Sequence, residues 1–527
     1  MDLTPKIRLE KYKWTTNGMI SVVGFTWLNG KCISGEALLK LLSDHTDSFE
    51  SVNKLVAQLN GQFSFVVKKE HEIWAACSHT WSYPLFYRKK QEEYFISDDP
   101  NELKSAEDIF TQDSFSQIYF LNFGVTPLQH TLVNEVSQIQ PGEIFRFSEA
   151  GSRSFSFGLY SGEGRQTFHS ADEKNLHDVF LNSFEKYYNV LKNRQVLLPL
   201  TRGYDSRLLA CLLKEFGHEN VVCVTWGRAQ NSEVETARKV AEKLGFRHVF
   251  MNYSMGIAEN FTSSPDFFEY MDYAGHWSSM PFLYEYFGLK KLLEEKLIEP
   301  DTIALPGHPG DFLRGEHLSL EMEAADPEFL AAQILFKFGS TSPLKRDDQK
   351  NVQEFIENEF FENKKDALWK IYEQWDYQER QCKFIGNSSQ VFSYFEMDYI
   401  MPLFDLELLY YFTAIPFGQK VGQNLYNSTL EKHFFKKTGV DFDLKTISRP
   451  KKINGLHELK KMLLGITPHQ LKSWYYQMND DIYYREITRE LRMYNKTFRY
   501  KNPLRPNAYN SYIIQWYQQF VKRMLQG

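Results

Sequence analysis

The sequence predicts an α/β protein: a β-rich layered first part, then a doubly wound parallel sheet, then a largely helical end. Three observations carry this expectation. Short apolar runs separated by turn residues fill residues 19–148, strand-like and helix-like segments alternate from 196 to 253, and beyond about 320 the chain reads as helices with short connections and no repeat. With 527 residues, the chain exceeds the size at which one hydrophobic core usually stops growing. Two domains are therefore expected, at 1–160 and 161–527.

In the first part the runs are MISVVGFTW (19–27), GQFSFVVKK (61–69), HEIWAACS (71–78), PLFYRKK (84–90), EYFISD (93–98) and EIFRFS (143–148). Residues 148–175 are rich in Ser and Gly and read as a linker. The apolar run VLLPL (196–200) then feeds a helix with Asp205 and Ser206 in its first turn and Gly217 at its end. The strand VVCVTW (221–226) follows. Ser232 and Glu235 have capping-box spacing, Val234, Ala237, Ala241 and Leu244 share one helical face, and Gly245 precedes the strand HVFMNY. This β-α-β-α-β order predicts a parallel sheet covered by helices.

Composition narrows the function. Hydrophobic residues make up 43% and charged residues 24%, values of an ordinary folded protein, and 43 Phe with 30 Tyr predict aromatic cores and grooves. The net charge of −6 and the absence of a basic patch argue against nucleic-acid binding. Cys32, Cys77, Cys211, Cys223 and Cys382 are scattered without CxxC spacing, which fits a reducing compartment. No apolar stretch approaches a membrane span, and the opening MDLTPKIRLEKYKW lacks a signal-peptide core. A cytoplasmic protein without membrane association is expected, of unspecified oligomeric state.

The stretch PLTRGYDSRLL (199–209) carries the chemistry. A strand that ends in a Gly-containing turn and feeds a helix aims backbone N–H groups and the helix's positive end at one point, which suits an anion. Gly203 permits close backbone approach, and the Thr201 and Ser206 hydroxyls can donate to phosphate oxygens. An ordinary βα turn with a good N-cap is the plainer alternative. The spacing does not match the GxxxxGK[ST] loop.

Thr201-Arg202-Gly203-Tyr204-Asp205-Ser206 does resemble the SGGxDS pyrophosphate loop of ATP pyrophosphatases. Further motifs are similar to those of the asparagine synthetase-like branch, which includes β-lactam synthetases and lasso-peptide cyclases. They are LNGQFSFVV (59–67), SYPLFY (82–87), YFISDD (94–99) and QPGEIFRF (140–147) in the first part. VTWG (224–227), GHPGDFLRG (307–315), MDYIMPLFD (397–405) and SRPKK (448–452) follow in the second. The resemblance covers most of the chain and implies an Ntn-hydrolase-like, amidotransferase-like first domain and a pyrophosphatase-loop synthetase domain.

Two departures qualify it. Family members that use glutamine begin with a cysteine; here Asp2 follows Met1, about eighteen residues precede the first core-like strand, and no RGPD-type segment is visible. Glutamine hydrolysis is not expected, and Cys32 reads as a strand-end residue. In the second departure, His308 stands where glutamine-dependent members have Glu and β-lactam synthetases have Tyr. It reads either as the group that takes a proton from an attacking amine or as a histidine bonded to a turn backbone.

The resemblance implies ATP and Mg²⁺ as cofactors, with Thr201, Arg202, Gly203, Asp205, Ser206, Thr225 and Gly227 on the nucleotide and Asp311 with Asp205 on the metal. Lys451, with Lys452 second, matches the phosphate-binding lysine, and Asp398 would assist His308. Arg202 replaces a family glycine, at a cost of about 1–2 kcal/mol if φ there is positive. It either adds donors for phosphate or plugs the site. The implied reaction joins a small-molecule or peptide carboxylate to an amine through an acyl-adenylate. The alternatives are a free-ammonia asparagine synthetase, a lasso-type peptide cyclase, and a catalytically silent nucleotide-binding scaffold.

Overall fold

The computed structural model describes residues 6–91, 93–105, 107–149, 151–159, 171–229, 232–339, 344–362, 366–444, 480–494 and 509–526. The fold is mixed α/β, with a β-rich first part, a parallel sheet and a helical end. Strands β1 (Lys6–Arg8), β2 (Thr15–Thr16), β3 (Ile20–Leu28), β4 (Lys31–Ser34), β5 (Asn60–Lys68) and β6 (Glu72–Cys77) open the chain. They are followed by β7 (Phe86–Lys90), β8 (Glu93–Ser97), β9 (Ser137–Gln138), β10 (Glu143–Ser148) and β11 (Gly151–Ser156). A seven-stranded sheet runs β11-β10-β6-β5-β3-β2 with β4 paired to β3, and a four-stranded sheet runs β1-β8-β7-β9.

The seven-stranded sheet is apolar on both faces, because each side is covered. Phe63, Phe65 and Val67 of β5 and Ile144 of β10 meet helices α1 (Gly35–Ser43) and α2 (Phe49–Val56) through Leu38, Leu42 and Val52. The alternate residues Val66, Ala75, Phe145 and Phe147 face the main core with Phe86 and Ile96 of the smaller sheet. The two helices were not foreseen. Nor was β11: residues 151–156 of the expected linker pair with β10, Phe155 opposite Ile144, while 160–170 lie outside the described residues.

The second sheet is parallel throughout, in the order β14-β13-β12-β15-β16. Its strands are β12 (Val196–Pro199), β13 (Val221–Gly227), β14 (Arg247–Asn252), β15 (Ile303–Ala304) and β16 (Asp398–Tyr399). Val196–Leu198 and Val221–Val224 are buried on both faces, which explains their unbroken apolar runs. Helices α3 (Ser114–Phe123), α4 (Glu173–Leu191), α5 (Tyr204–Glu215), α6 (Ser232–Leu244), α7 (Pro265–Gly275) and α8 (Tyr284–Glu294) precede the helical end. On α6, Ala237, Ala241 and Leu244 are buried as expected, and Glu235 pairs with Arg238.

The main hydrophobic cluster runs from Trp27 to Val521, through both parts of the chain. Two contacts show how tightly they join. Asn60, at the start of β5, donates to Asp405 at 3.0 Å and accepts from the Leu406 amide at 3.0 Å, while Tyr187 and Lys186 reach the same buried carboxylate at 2.8 and 2.6 Å. The LNGQF and MPLFD motifs therefore meet. Asn60→Ala leaves the Leu406 amide without its acceptor and removes one of the donors to the buried carboxylate, so we expect a loss of about 1–3 kcal/mol, read as a lower denaturant midpoint; an unchanged midpoint would refute it. In the second contact, Tyr517 of helix Asn510–Gln526 packs on Phe120 of the first part, ring centroids 6.0 Å apart, and fills the space where Gly275 lacks a side chain. A Cβ there would lie 2.0 Å from the ring, and the Trp277 amide donates to the phenol oxygen at 2.9 Å.

Candidate active site

The turn after β12 is held by its own hydroxyls. The Thr201 amide donates to Ser206 Oγ at 3.1 Å, Gly203 N donates to Thr201 Oγ1 at 3.1 Å, and the two hydroxyl oxygens lie 3.2 Å apart. Gly203 is the N-cap of α5, with φ −65°, and no side chain caps that helix end. The glycine does not serve a left-handed backbone; a Cβ there would sit 3.1 Å from Thr201 Oγ1, tight enough to displace that hydroxyl by a few tenths of an ångström. Arg202 also lies outside the positive-φ region, so it carries no strain of that kind. Its amide donates to Glu233 at 2.8 Å and its Nε lies 3.8 Å from the same carboxylate, at the start of α6.

The 307–315 loop follows β15 and closes over α5. Gly310, at the start of the short helix α9 (Gly310–Leu313), packs on Asp205 so closely that a Cβ would fall 2.0 Å from its carboxyl carbon. Tyr426 donates to Asp205 Oδ1 at 2.8 Å. His308 is half-buried, and the loss of water around the ring pushes its pKa down to about 4 and keeps the imidazole neutral. Its Nε2 lies 3.2 Å from Ser388 Oγ, and that hydroxyl donates to the Ile385 carbonyl at 2.7 Å. A serine has one proton to give, so this network assigns the hydrogen to Nε2 and leaves Nδ1 as the acceptor.

Asp205, Gly307 and His308 stand between two clefts. The first is lined by Thr201, Gly203, Ser206, Thr225, Trp226 and Glu285 among others, the second by Asp311, Lys337, Asp376 and Arg380. The Asp311 side chain is 66% exposed and lies 2.5 Å from Arg314. Thr225 is buried and donates to the Leu200 carbonyl at 2.7 Å.

The remaining expected residues are placed elsewhere. Gly227 (φ +134°) leaves room for the Asp481 carbonyl, 2.6 Å from where a Cβ would be, so it seats a neighbouring segment. Arg202 is absent from the walls of both clefts. Asp398 pairs with Ile303 and through it with Val196, the first residue of β12, which puts it at the amino edge of the sheet, opposite the turn. It is 69% exposed and bonded to Arg194 at 2.8 Å, so it does not meet His308. Lys451 and Lys452 lie outside the described residues.

Asp205 and Asp311 are the carboxylates that a divalent cation would use. No group of three or more His, Cys, Asp or Glu suited to a metal occurs among the described residues. Two carboxylates beside an uncapped helix end still fit Mg²⁺, which takes one or two carboxylates and completes its shell with phosphate and water. Tyr426, Ser388 and Glu285 were missed from sequence because they lie outside every motif read there.

Among curated proteins, the chain is 22% identical over 318 residues to the microcin J25-processing protein McjC of Escherichia coli, covering 58% of this chain and 56% of that protein. The chain thus matches little more than half the length of this relative. No protein-family model matches. Among solved structures it is similar to glutamine phosphoribosylpyrophosphate amidotransferase from B. subtilis complexed with ADP and GMP, at 12% identity and a TM-score of 0.20, covering 45% of this chain and 72% of that one. A structure described as the allosteric regulatory enzyme of purine biosynthesis gives 11% identity and a TM-score of 0.20, with 47% and 63% covered.

Proposed function

We propose that the chain is an ATP-dependent amide-forming ligase that activates the carboxylate of a peptide. The observation that carries this reading is the uncapped start of α5 facing a cleft that Asp205 joins to the Asp311 loop. The carboxylate attacks the α-phosphate of ATP, an acyl-adenylate forms as pyrophosphate leaves, and an amine then displaces AMP. The α5 amides and the Thr201 and Ser206 hydroxyls hold phosphate oxygens, and Asp205 and Asp311 hold Mg²⁺, which screens charge on the phosphates. Lys451 neutralises charge on the departing pyrophosphate. The neutral Nδ1 of His308 takes the proton of the attacking amine. The β-rich part shields the adenylate from water.

A peptide acid is favoured over free aspartate by the likeness to a microcin-processing protein. Among the alternatives, the plugged scaffold is disfavoured because Arg202 turns to Glu233. The test is AMP release from Mg-ATP across free amino acids and candidate peptides. Release dependent on a peptide supports the reading; release with aspartate and ammonia alone favours asparagine synthesis, and none with any acid favours the scaffold.

The amine does not come from glutamine hydrolysed by a thiol. Cys77, Cys211, Cys223 and Cys382 are buried, and burial pushes the first three up to about 12 and raises the fourth well above the ordinary thiol value; loss of water raises Cys32 as well. None of the five is a ready thiolate. Incubation with glutamine, with or without ATP, is expected to release no glutamate above background, and clear release would overturn this.

A further inference from the structure

The wall of the first cleft runs from the 201–206 turn across the carboxyl end of β13 to the first turn of α8. That helix is anchored beside β14, two strands from β12 in the sheet order. Tyr253, directly after β14, accepts from the Gly288 amide at 2.9 Å and donates to the Tyr284 carbonyl at 2.5 Å. The α8 end therefore lies beyond β13, one or two strand spacings of about 4.8 Å from the β12 turn.

This end of the cleft pairs aromatic surface with one ionisable group. Trp226 and Tyr284 stand edge to face with centroids 5.9 Å apart, and Phe392 joins the wall. Glu285 lines the same space, and its Oε2 is buried with no hydrogen-bond partner among the described residues. A buried carboxyl oxygen without a donor is costly unless a ligand supplies one. An aromatic surface with one unpartnered carboxyl oxygen beside it suits a planar heterocycle that carries an N–H.

We propose that Glu285 reads the base of the bound nucleotide, accepting a hydrogen from the 6-amino group of adenine and, in its acid form, donating to the adjacent ring nitrogen. The inference rests on the ATP reading above and adds the residue that selects the base. Burial holds the Glu285 carboxyl at about 7, so both protonation states are populated near neutral pH. The ionisable groups that face it are the phenols of Tyr253, Tyr270, Tyr284 and Tyr484, all pushed upward and neutral; Glu233 approaches Tyr284 from α6. The acid form matches adenine, with one donor and one acceptor side by side. Guanine presents an acceptor, O6, beside the N1 donor, the reverse of adenine, so a carboxylate meets a repelling oxygen where adenine offers its amino group.

The test is calorimetric titration of the full chain with ATP, GTP and purine riboside triphosphate, which lacks the 6-amino group, at pH 6 and pH 8. Wild type is expected to prefer ATP over the purine analogue by about tenfold or more, and to bind ATP more tightly at pH 6. Glu285→Gln keeps the preference, since the amide carries the same donor and acceptor, and loses the pH dependence. Glu285→Leu binds ATP and the analogue equally. The proposal is overturned if wild type does not distinguish the two, or if Glu285→Leu still does. Failure of wild type to bind any of the three nucleotides would instead remove the ATP reading, and this inference with it.

Discussion

Asp205→Asn is expected to lower peptide-dependent AMP release by about a hundredfold or more while leaving the melting temperature within a few degrees. The carboxylate lies in the first turn of α5, borders both clefts and accepts from Tyr426 at 2.8 Å. An asparagine fits the same space and still accepts that bond, so the fold loses little. It loses the charge. A cation on the triphosphate contributes several kcal/mol to the transition state, and a hundredfold corresponds to about 2.7 kcal/mol. Asp311→Asn should act in the same direction, and the outcome that sinks the assignment is a wild-type rate in both variants.

Gly310→Ala is expected to be damaging in a different way. The new methyl would lie 2.0 Å from the Asp205 carboxyl carbon, and the loop cannot simply lift because Phe312 and Leu313 are fully buried beside it. Overpacking of this kind costs about 1–3 kcal/mol and shifts the groups around it. A lower melting temperature should therefore accompany a loss of AMP release comparable to that of Asp205→Asn. Gly307→Ala is the control: its added Cβ would come no nearer than 3.4 Å, to the Ser206 amide nitrogen, an ordinary contact. If Gly310→Ala retains full stability and activity, the close packing of the loop on Asp205 has no functional weight.

The parallel core and its turn were legible because their physics is local. Strands buried on both faces read as unbroken apolar runs, as VLLP and VVCVTWG do, and the turn is marked by hydroxyls and a glycine within six residues. What was not legible depends on direction and on distant partners. The residue type at Arg202 is plain, but the turn of its guanidinium toward Glu233 depends on where α6 begins. MDYIMPLFD was recognisable as a segment, yet only the strand register puts Asp398 at the edge opposite the turn and Met401 to Leu406 against β5. Helices α1 and α2 are only nine and eight residues long, and β11 lies in a Ser-rich stretch whose pairing comes entirely from β10. Tyr426 and Glu285 reach the site from helices that carry no motif.

The notch at Gly275 has a consequence for biogenesis. Its occupant, Tyr517, is translated long after the walls that receive it, since Trp277 precedes it by 240 residues and Phe120 of α3 comes earlier still. Until residues 510–526 emerge, a nascent chain carries an open aromatic groove with an unmet Trp277 amide, the kind of exposed apolar surface that invites aggregation or chaperone capture. Messages truncated before codon 510 should therefore yield insoluble product even though every residue of the turn and of the 307–315 loop has been made. Quality control would reach such chains before any test of their chemistry.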